Sequence, residues 1–144
     1  MNIKSKQILK LWVKLNRATQ TLSKSNDLIL KDNDLSTAQF GILDALLHKG
    51  DLCQKDLGEK ILCSSGNITM VIDNLERYGY VRRIRSKEDR RYYQIQITEE
   101  GQKKINIVLP LIAGNLKQHF DIISTRDQIT LSRFCKQLGL QKTK

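Results

Sequence analysis

A strongly basic run of fifteen residues, 77–91, joins a stretch of helical periodicity to a stretch of strand periodicity. Apolar residues recur every three or four positions at 68–75, as in an amphipathic helix, and at every second position at 93–97, as in a strand. The run contains seven basic and two acidic residues, and so supplies half of the formal net charge of +10. A basic tip held between ordered elements is typical of a DNA-binding wing, whereas a solvated charge run usually mixes signs.

The composition indicates one ordered domain, residues 1–144, with 40% hydrophobic and 28% charged residues. The excess positive charge favours a polyanionic partner, which is DNA, RNA or an anionic membrane. No apolar stretch approaches the roughly 18–20 residues that a membrane span requires. Lysines also interrupt any apolar segment near the N-terminus, so we expect no signal peptide, no membrane partner and a cytoplasmic location.

The cysteines and histidines do not predict a metal site. Cys53, Cys63 and Cys135 form no C-x-x-C pair, and neither His48 nor His119 has another His or a Cys within four residues. This pattern indicates that the protein works in a reducing compartment. We expect it to have no disulfide framework, no bound metal and no cofactor. The chain also lacks a Ser/His/Asp spacing, a phosphate-binding glycine loop and paired inward carboxylates, so we expect it not to be an enzyme.

Capping and turn signals divide the centre of the chain into three short helices. A capping box at Ser36 starts the first helix, and Gly50 is placed to end it in a left-handed cap. A short helix at 54–61 and a turn at 63–65 follow, and Gly79 ends the amphipathic third helix. Two helices joined by a tight turn, the second with a polar outer face, form a helix-turn-helix.

Two strands are predicted after the third helix. They cover residues 81–85 and 92–97, with a turn at 86–90 between them. The basic run therefore extends from the end of the helix to the tip of a β-hairpin. Together with the helices, the hairpin makes residues 34–98 a winged helix-turn-helix module.

Long amphipathic helices are predicted on both sides of this module. Residues 5–30 place apolar side chains on one stripe, most of their basic residues lie off that stripe, and no acidic residue precedes Asp27. On the other side, Thr98 caps a long helix in which Pro110 predicts a kink or break. A capping box at Thr125 then starts the last helix.

Neither flanking region has an obvious packing partner in so short a chain. We therefore predict that residues 1–33 and 99–144 form a helical dimerisation region, which gives a mainly α fold with a small β-wing. A homodimer would place two recognition helices about 34 Å apart, in successive major grooves. The alternative is a compact monomer with all helices around one core.

Five short motifs are spaced between residues 57 and 101. They are LGEKIL at 57–62, SGNIT at 65–69, DNLERYGYV at 73–81, DRR at 89–91 and ITEEG at 97–101. In combination they resemble the MarR family of bacterial transcriptional regulators over nearly the whole chain. HKGD at 48–51 and the SGNIT run look most like the branch that responds to quinones, catechols and related electrophiles. The resemblance implies a repressor that binds a pseudo-palindromic duplex operator.

The outer face of the third helix carries the candidates for reading DNA. Short polar residues near the helix N-terminus suit base edges or phosphates, Met70 suits a thymine methyl, Asn74 suits adenine and Arg77 suits a phosphate. The candidates on this helix are Ser64, Ser65, Asn67, Thr69, Met70, Asn74 and Arg77. The alternatives are pure capping for the two serines and a solvated polar site for Asn74. Asp73 would be repelled by phosphate, so we expect it to have a structural role.

The wing supplies the candidates for phosphate and minor-groove contacts, because a narrow A·T-rich groove attracts arginine. They are Arg85, Lys87, Arg90 and Arg91. The family resemblance implies that one arginine of the DRR motif enters the groove, and we favour Arg90. It also implies that Asp89 orients the wing by pairing with a neighbouring arginine. Arg82 and Arg83 lie in the strand, where one of them is expected to be solvated.

The resemblance also implies release of DNA by a small phenolic or quinone-like effector, or by an electrophile that attacks a cysteine. Apolar and aromatic residues that would line an effector cleft are Trp12, Leu15, Phe40, Leu43, Leu47 and His48. The alternative for each is ordinary core packing. Cys63 is the redox candidate, because a helix N-terminus after it would lower its thiol pKa, and the alternative is a small apolar turn residue. The peroxide-sensing branch has its cysteine near the start of the first helix, where this chain has none.

Two other functions remain open at this point. A non-specific architectural DNA-binding protein would use the same basic wing. An RNA-associated basic winged-helix protein would need neither dimer symmetry nor a palindromic duplex.

Overall fold

A computed structural model of the chain describes residues 2–61 and 65–140. In chain order the elements are α1 (Ile3–Asp32), α2 (Thr37–Lys49), β1 (Leu52–Cys53), α3 (Gln54–Lys60), α4 (Ser65–Arg77), β2 (Val81–Arg85), β3 (Tyr93–Ile97), α5 (Glu99–Phe120) and α6 (Thr125–Gly139). Within the described ranges, no helix is both long and apolar enough to cross a membrane. The mainly helical fold with a winged helix-turn-helix, predicted from the sequence, is confirmed.

The small sheet contains one strand more than the sequence predicted. Its order is β1-β3-β2, and both pairings are antiparallel. In the hairpin, Val81 lies opposite Ile97 and Arg85 lies opposite Tyr93. The additional strand, β1, pairs Leu52 with Ile95. A strand of two residues is too short to show an alternating pattern, which explains why sequence periodicity did not predict it.

One hydrophobic core holds the module together. The inward face of α4 is buried through Ile68, Val71, Ile72 and Leu75, as its periodicity predicted. It packs with residues from the neighbouring elements that are almost completely inaccessible, which include Ile42, Leu43, Leu46, Leu57, Val81, Ile95, Ile105 and Val108. Because this side of α4 is fixed against the core, its polar residues are directed outward.

The helix ends of the module follow most of the predicted caps. The capping box at Ser36 is complete, with Ser36 Oγ accepting from Gln39 N at 3.1 Å and Gln39 Oε1 accepting from Ser36 N at 2.8 Å. Gly79 ends α4 with φ +76°, and its N–H donates to Glu76 O at 2.9 Å. Gly50 also has a positive φ of +78°, but its ψ of −160° lies outside the left-handed helical region, so a left-handed cap was the wrong prediction.

The helices after the module correct two predictions. The sequence predicted a kink or a break at Pro110. The helix is not broken there, because α5 is one helix from Glu99 to Phe120. Val108 and Ile112, on either side of the proline, are buried in the core, and this packing compensates for the missing hydrogen bond. The cap of α6 is Ser124 and not Thr125, since Ser124 Oγ accepts from Asp127 N at 3.1 Å.

The flanking helices are only partly covered within one protomer. The C-terminal part of α1 packs on α5. There, Asn115 Nδ2 of α5 donates to Ser25 Oγ at 2.9 Å and to Asn26 Oδ1 at 2.8 Å. No residue of α6 is buried. Large apolar side chains are therefore exposed on both helices: Ile3, Ile8, Leu9, Leu11, Trp12, Val13, Leu15 and Leu28 on α1, and Ile129, Leu131, Phe134 and Leu138 on α6.

Candidate DNA-binding surface

The outer face of the recognition helix α4 is polar and accessible. Asn67, Thr69, Asp73 and Arg77 are exposed, and Met70 is 57% exposed between them. Ser65 is the first residue of α4. Ser64 and the redox candidate Cys63 lie outside the described residues. The structure thus places the described candidates of this helix, Asn67 to Arg77, on one continuous surface that faces away from the core.

Several of these side chains are held in place by neighbours. Gln54 Nε2 of α3 donates to Thr69 Oγ1 at 2.6 Å, so the two helices of the helix-turn-helix are tied together at the reading surface. Arg77 Nη2 donates to Asn74 Oδ1 at 2.9 Å, and the Arg77 guanidinium lies 5.6 Å from the centre of the Tyr78 ring. Ordered donors and acceptors lose less side-chain entropy when they bind a ligand.

Arg83 connects the recognition helix to the wing. Its guanidinium donates to Asp73 Oδ1 at 2.5 Å and also to the Glu76 carboxylate. Partial burial by itself lowers the pKa of Arg83, but hydrogen bonds and charge attraction from the two carboxylates outweigh it and raise that pKa. Arg83 therefore offsets one of the two negative charges of α4 beside the surface where DNA phosphates would approach.

The sequence did not predict this role of Arg83. The structural role expected for Asp73 agrees with its ion pair to β2. Arg82 is exposed, in agreement with the expectation that one of the two strand arginines is solvated. Its Nε donates to Gln96 Oε1 at 2.6 Å, and Gln96 Nε2 donates to Asp51 Oδ2 at 3.0 Å. Outward carboxylates three residues apart on a helix, followed by an arginine-rich strand, are compatible with such a bridge but do not say which arginine forms it.

The turn of the wing is ordered by Asp89 and Ser86. Arg91 donates to Asp89 from its backbone N at 3.0 Å and from its Nη2 at 2.8 Å. The hydrogen bond from the Arg91 side chain, and then that from its backbone, lower the pKa of Asp89, because both favour the charged form of this carboxylate. Ser86 is buried, and its Oγ accepts from the N–H groups of Glu88 and Asp89 at 3.2 and 3.3 Å.

The basic side chains of the wing differ in the contacts that they make within the protein. Arg91 is paired with Asp89 and lies over the Tyr92 ring at 6.0 Å, and Arg85 lies 5.8 Å from the centre of the Tyr93 ring. Arg90 and Lys87 are exposed, and among the described residues neither side chain makes a hydrogen bond or an ion pair. These two cations are available for an external anion. Sequence reasoning missed the two tyrosines as supports of the wing arginines.

The six effector-cleft candidates are not brought together within one protomer. Phe40 and His48 line a cleft of about 790 Å³ between α2, the end of α3 and the start of α4. Leu43 is fully buried in the core and does not line it, and Leu47 is half-buried at a different groove. Trp12 and Leu15 are exposed on α1. One edge of the apolar stripe of α2 packs in the core. Only the residues on the other edge of this stripe reach the cleft.

The cleft combines apolar and charged groups. Ala45 and Ile61 lie beside Phe40 on its wall, together with Asp44 and His48. His48 Nδ1 lies 3.1 Å from Asp44 Oδ1. Such a wall suits a small ring that carries polar substituents.

Comparisons with known proteins agree with this architecture. A model of the MarR family matches residues 35–93. Over 132 residues the chain is 33% identical to the HTH-type transcriptional regulator MhqR of Bacillus subtilis, and the match covers 92% of this chain and 91% of the relative. Together with the fold, this similarity defines a winged helix-turn-helix transcriptional regulator. The chain belongs to the MarR family, and regulators of this class are not enzymes.

Two solved structures share the whole fold. Sco3205 of Streptomyces coelicolor, a MarR family transcriptional regulator in complex with DNA, has a TM-score of 0.86 at 21% identity, over 99% of this chain and 92% of that chain. CouR of Rhodococcus jostii, bound to p-coumaroyl-CoA, has a TM-score of 0.85 at 17% identity, over 93% and 94% of the two chains. At these identities the likeness concerns the fold.

Proposed function

We propose that this regulator binds a pseudo-palindromic operator as a homodimer in the cytoplasm and represses transcription by covering a promoter. One observation carries the proposal. The outward polar face of α4 lies beside a wing in which the exposed side chains of Arg90 and Lys87 make no hydrogen bond or ion pair with the described residues. A polar helix surface suits the major groove, and a free arginine suits the adjacent minor groove. Sco3205, which has the same fold, was solved in complex with DNA, and this supports DNA binding.

The exposed apolar residues of α1 and α6 support the homodimer. Leu11, Trp12, Phe134 and Leu138 are each more than half exposed in the protomer. A second copy would remove this surface from water, at roughly 25 cal/mol per Å² of apolar area buried. The same pairing would set two recognition helices one DNA turn apart.

The direct test is a fluorescence-anisotropy titration at near-physiological salt. A duplex from the gene's own upstream region is compared with a scrambled duplex, and the mass in solution is measured alongside. A dimer that prefers its own upstream DNA by about a thousandfold or more is the expected result. Equal binding to both duplexes would instead favour an architectural role, and tighter binding to single-stranded or hairpin RNA would favour an RNA-associated role.

The wing arginines are expected to differ in their contribution. Arg90→Ala should weaken operator binding by about 5- to 50-fold and lower the log–log salt slope by about 1, because a free guanidinium near phosphate is removed. Arg91→Ala should have a smaller effect, since Asp89 already neutralises Arg91. Anisotropy titrations from about 50 to 200 mM salt measure both quantities.

Arg133→Ala is the matched control for these variants, because it removes one exposed arginine from α6, far along the chain from the wing. It should leave the affinity and the salt slope unchanged. If the double variant Arg90→Ala/Arg91→Ala also keeps wild-type affinity and slope, the wing does not belong to the DNA-binding surface.

We further propose that a small phenolic or quinone-like compound releases the operator, either by binding in the cleft beside Phe40 and His48 or by modifying Cys63. The wall of the cleft, which holds an aromatic ring and a histidine–aspartate pair, supports the ligand route. The similarity to MhqR and the aromatic ligand of CouR support an effector of this kind.

Two variants separate the routes. Phe40→Ala should raise the catechol concentration for half-maximal operator release by about tenfold, because an aromatic contact is worth about 1.5 kcal/mol. Cys63→Ser should keep DNA binding. This variant should lose release by the thiol-reactive p-benzoquinone and keep release by catechol. Release curves that neither substitution shifts, measured by anisotropy with both compounds, would place the effector elsewhere in the molecule.

A further inference from the structure

The positive charge of the chain is concentrated in two separate segments. Residues 77–91 have seven basic and two acidic residues, and residues 3–32 also have seven basic and two acidic residues. Because the formal net charge is +10, these two segments account for all of it and the rest of the chain is neutral overall. The first segment forms the wing, whereas the second is α1, which the proposed operator contacts do not use.

The basic residues of α1 share one side of the helix. At 3.6 residues per turn, six of them fall in a sector about 100° wide. They are Lys6, Lys10, Lys14, Arg17, Lys24 and Lys31, and we call them the α1 basic stripe. All six are exposed. In the part of the chain that the structure describes, none of them forms an ion pair, and the sequence has no acidic residue before Asp27.

The α1 basic stripe lies on the side of α1 that faces away from the rest of the protomer. Ile29 and Leu30 are on the opposite side, where they pack with the core, and Leu11 and Leu15 continue that apolar side toward the N-terminus. A partner that covers this apolar side leaves the stripe accessible, and the sector of the stripe also contains two exposed apolar side chains, Val13 and Leu28. α1 packs against α5 and α2, whereas α4 packs against α2, α3 and β2, so α2 separates the stripe from the recognition helix.

The dimensions and the charge of the stripe suit a DNA backbone. From Lys6 to Lys31 it extends about 38 Å, at about 1.5 Å per residue, which is close to the length of one turn of duplex, about 34 Å. Cations without intramolecular partners gain most from phosphate, because they release counterions and break no ion pair. A helix on a membrane surface would insert its apolar face, but in α1 that face is directed toward α5 over its C-terminal half.

We propose that the α1 basic stripe is a second, sequence-independent DNA-binding surface, which holds a separate segment of duplex while α4 and the wing hold the operator. A dimer has two such stripes, so one dimer joins the operator to a distant or flanking DNA segment. This inference goes beyond operator binding and concerns a different face of the molecule.

The test is a two-duplex capture experiment with the full chain. A biotinylated operator duplex is saturated with protein on beads, and a fluorescent duplex of unrelated sequence, about six DNA turns long, is added at about 0.1 M salt. The wild-type dimer should retain the second duplex. The triple variant Lys10→Gln/Lys14→Gln/Arg17→Gln should retain at least about fivefold less, and the log–log salt slope of capture should fall by about 2.7, or about 0.9 for each phosphate that is no longer neutralised.

A control with the same loss of charge is available on α6. Arg126→Gln/Arg133→Gln/Lys136→Gln removes three exposed basic residues, and it should capture the second duplex as the wild type does. Anisotropy with a short operator duplex should give affinities within about twofold for all three proteins. If the wild type does not bind the short operator duplex in the anisotropy titration, operator binding is refuted. If it binds that duplex but does not capture the second duplex, only the second DNA-binding surface is refuted.

Three outcomes would overturn the proposal. The first is capture by the α1 variant at the wild-type level. The second is no capture by the wild type at any salt at which the operator stays bound. The third is binding of the wild type, but not the α1 variant, to vesicles rich in phosphatidylglycerol without any capture of duplex, which would assign the stripe to a membrane surface.

Discussion

Replacing Gly101 by alanine is expected to lower the free energy of unfolding by about 3 kcal/mol, at the upper end for overpacking a well-filled site. Gly101 is buried in the first turn of α5, where a Cβ atom would lie 2.1 Å from the carbonyl oxygen of Tyr80 and 2.9 Å from Ile97 Cγ1. The Tyr80 carbonyl cannot move away freely, because it accepts a hydrogen bond from Thr98 N at 3.0 Å. Alanine therefore has to displace α5 from the base of the wing.

Gly114 provides the matched control in the same helix. An added Cβ atom there meets nothing within 4 Å, and the residue is exposed. Gly114→Ala should raise the free energy of unfolding by about 0.5–1 kcal/mol through helix propensity and a less flexible unfolded chain. Urea unfolding followed by circular dichroism, at one fixed protein concentration, measures both variants. Equal midpoints for Gly101→Ala and the wild type would contradict the close contact between α5 and the wing.

The contact of Gly101 also illustrates how much of the fold follows from local sequence. The Ile-Thr-Glu-Glu-Gly motif predicted a cap at Thr98 and the start of α5, and Thr98 Oγ1 does accept from Gly101 N at 3.1 Å. Why the motif ends in glycine depends on the approach of Tyr80, which is 21 positions earlier in the chain. Helix periodicity and capping depend on neighbours along the chain, whereas a close approach depends on how elements cross.

The same distinction applies to the DNA-binding surface. The outer face of α4 could be predicted, because a helix with Ile68 to Leu75 inward has only one other side. The partners of the arginines could not, since the bridge from Arg83 to Asp73 depends on the angle at which β2 leaves α4. Sequence alone therefore favoured Arg90 over Arg91 without a physical reason, and the pairing of Arg91 with Asp89 now supplies one.

The effector cleft shows the limit of residue type as a guide. Phe40 and Leu43 are both apolar residues of α2, separated by less than one helical turn, but one lines the cleft and the other is completely buried. Which of them reaches the cleft depends on where α3 and α4 cover α2. Composition could nominate both residues but could not choose between them.

The largest loss of operator binding is expected from variants that separate the two protomers. Leu11→Glu on α1 and Phe134→Glu on α6 each place a charge on an apolar surface that is 63% or 51% exposed in the protomer. In a dimer interface, a buried unpaired carboxylate costs several kcal/mol, so the dimer should dissociate. Without the second half-site, operator binding should then weaken by a factor on the order of 100 to 10,000.

The controls put the same charge on the opposite sides of the same helices. Gln20→Glu on α1 and Ser132→Glu on α6 are exposed, and they should keep the dimer mass in light scattering and wild-type operator affinity. A duplex with one half-site separates loss of pairing from loss of fold, because monomeric Leu11→Glu should bind it as tightly as the wild type does. If Leu11→Glu and Phe134→Glu both remain dimers at micromolar concentration and bind the full operator normally, the apolar faces of α1 and α6 are not the interface. The recognition helices would then have to be spaced by another contact.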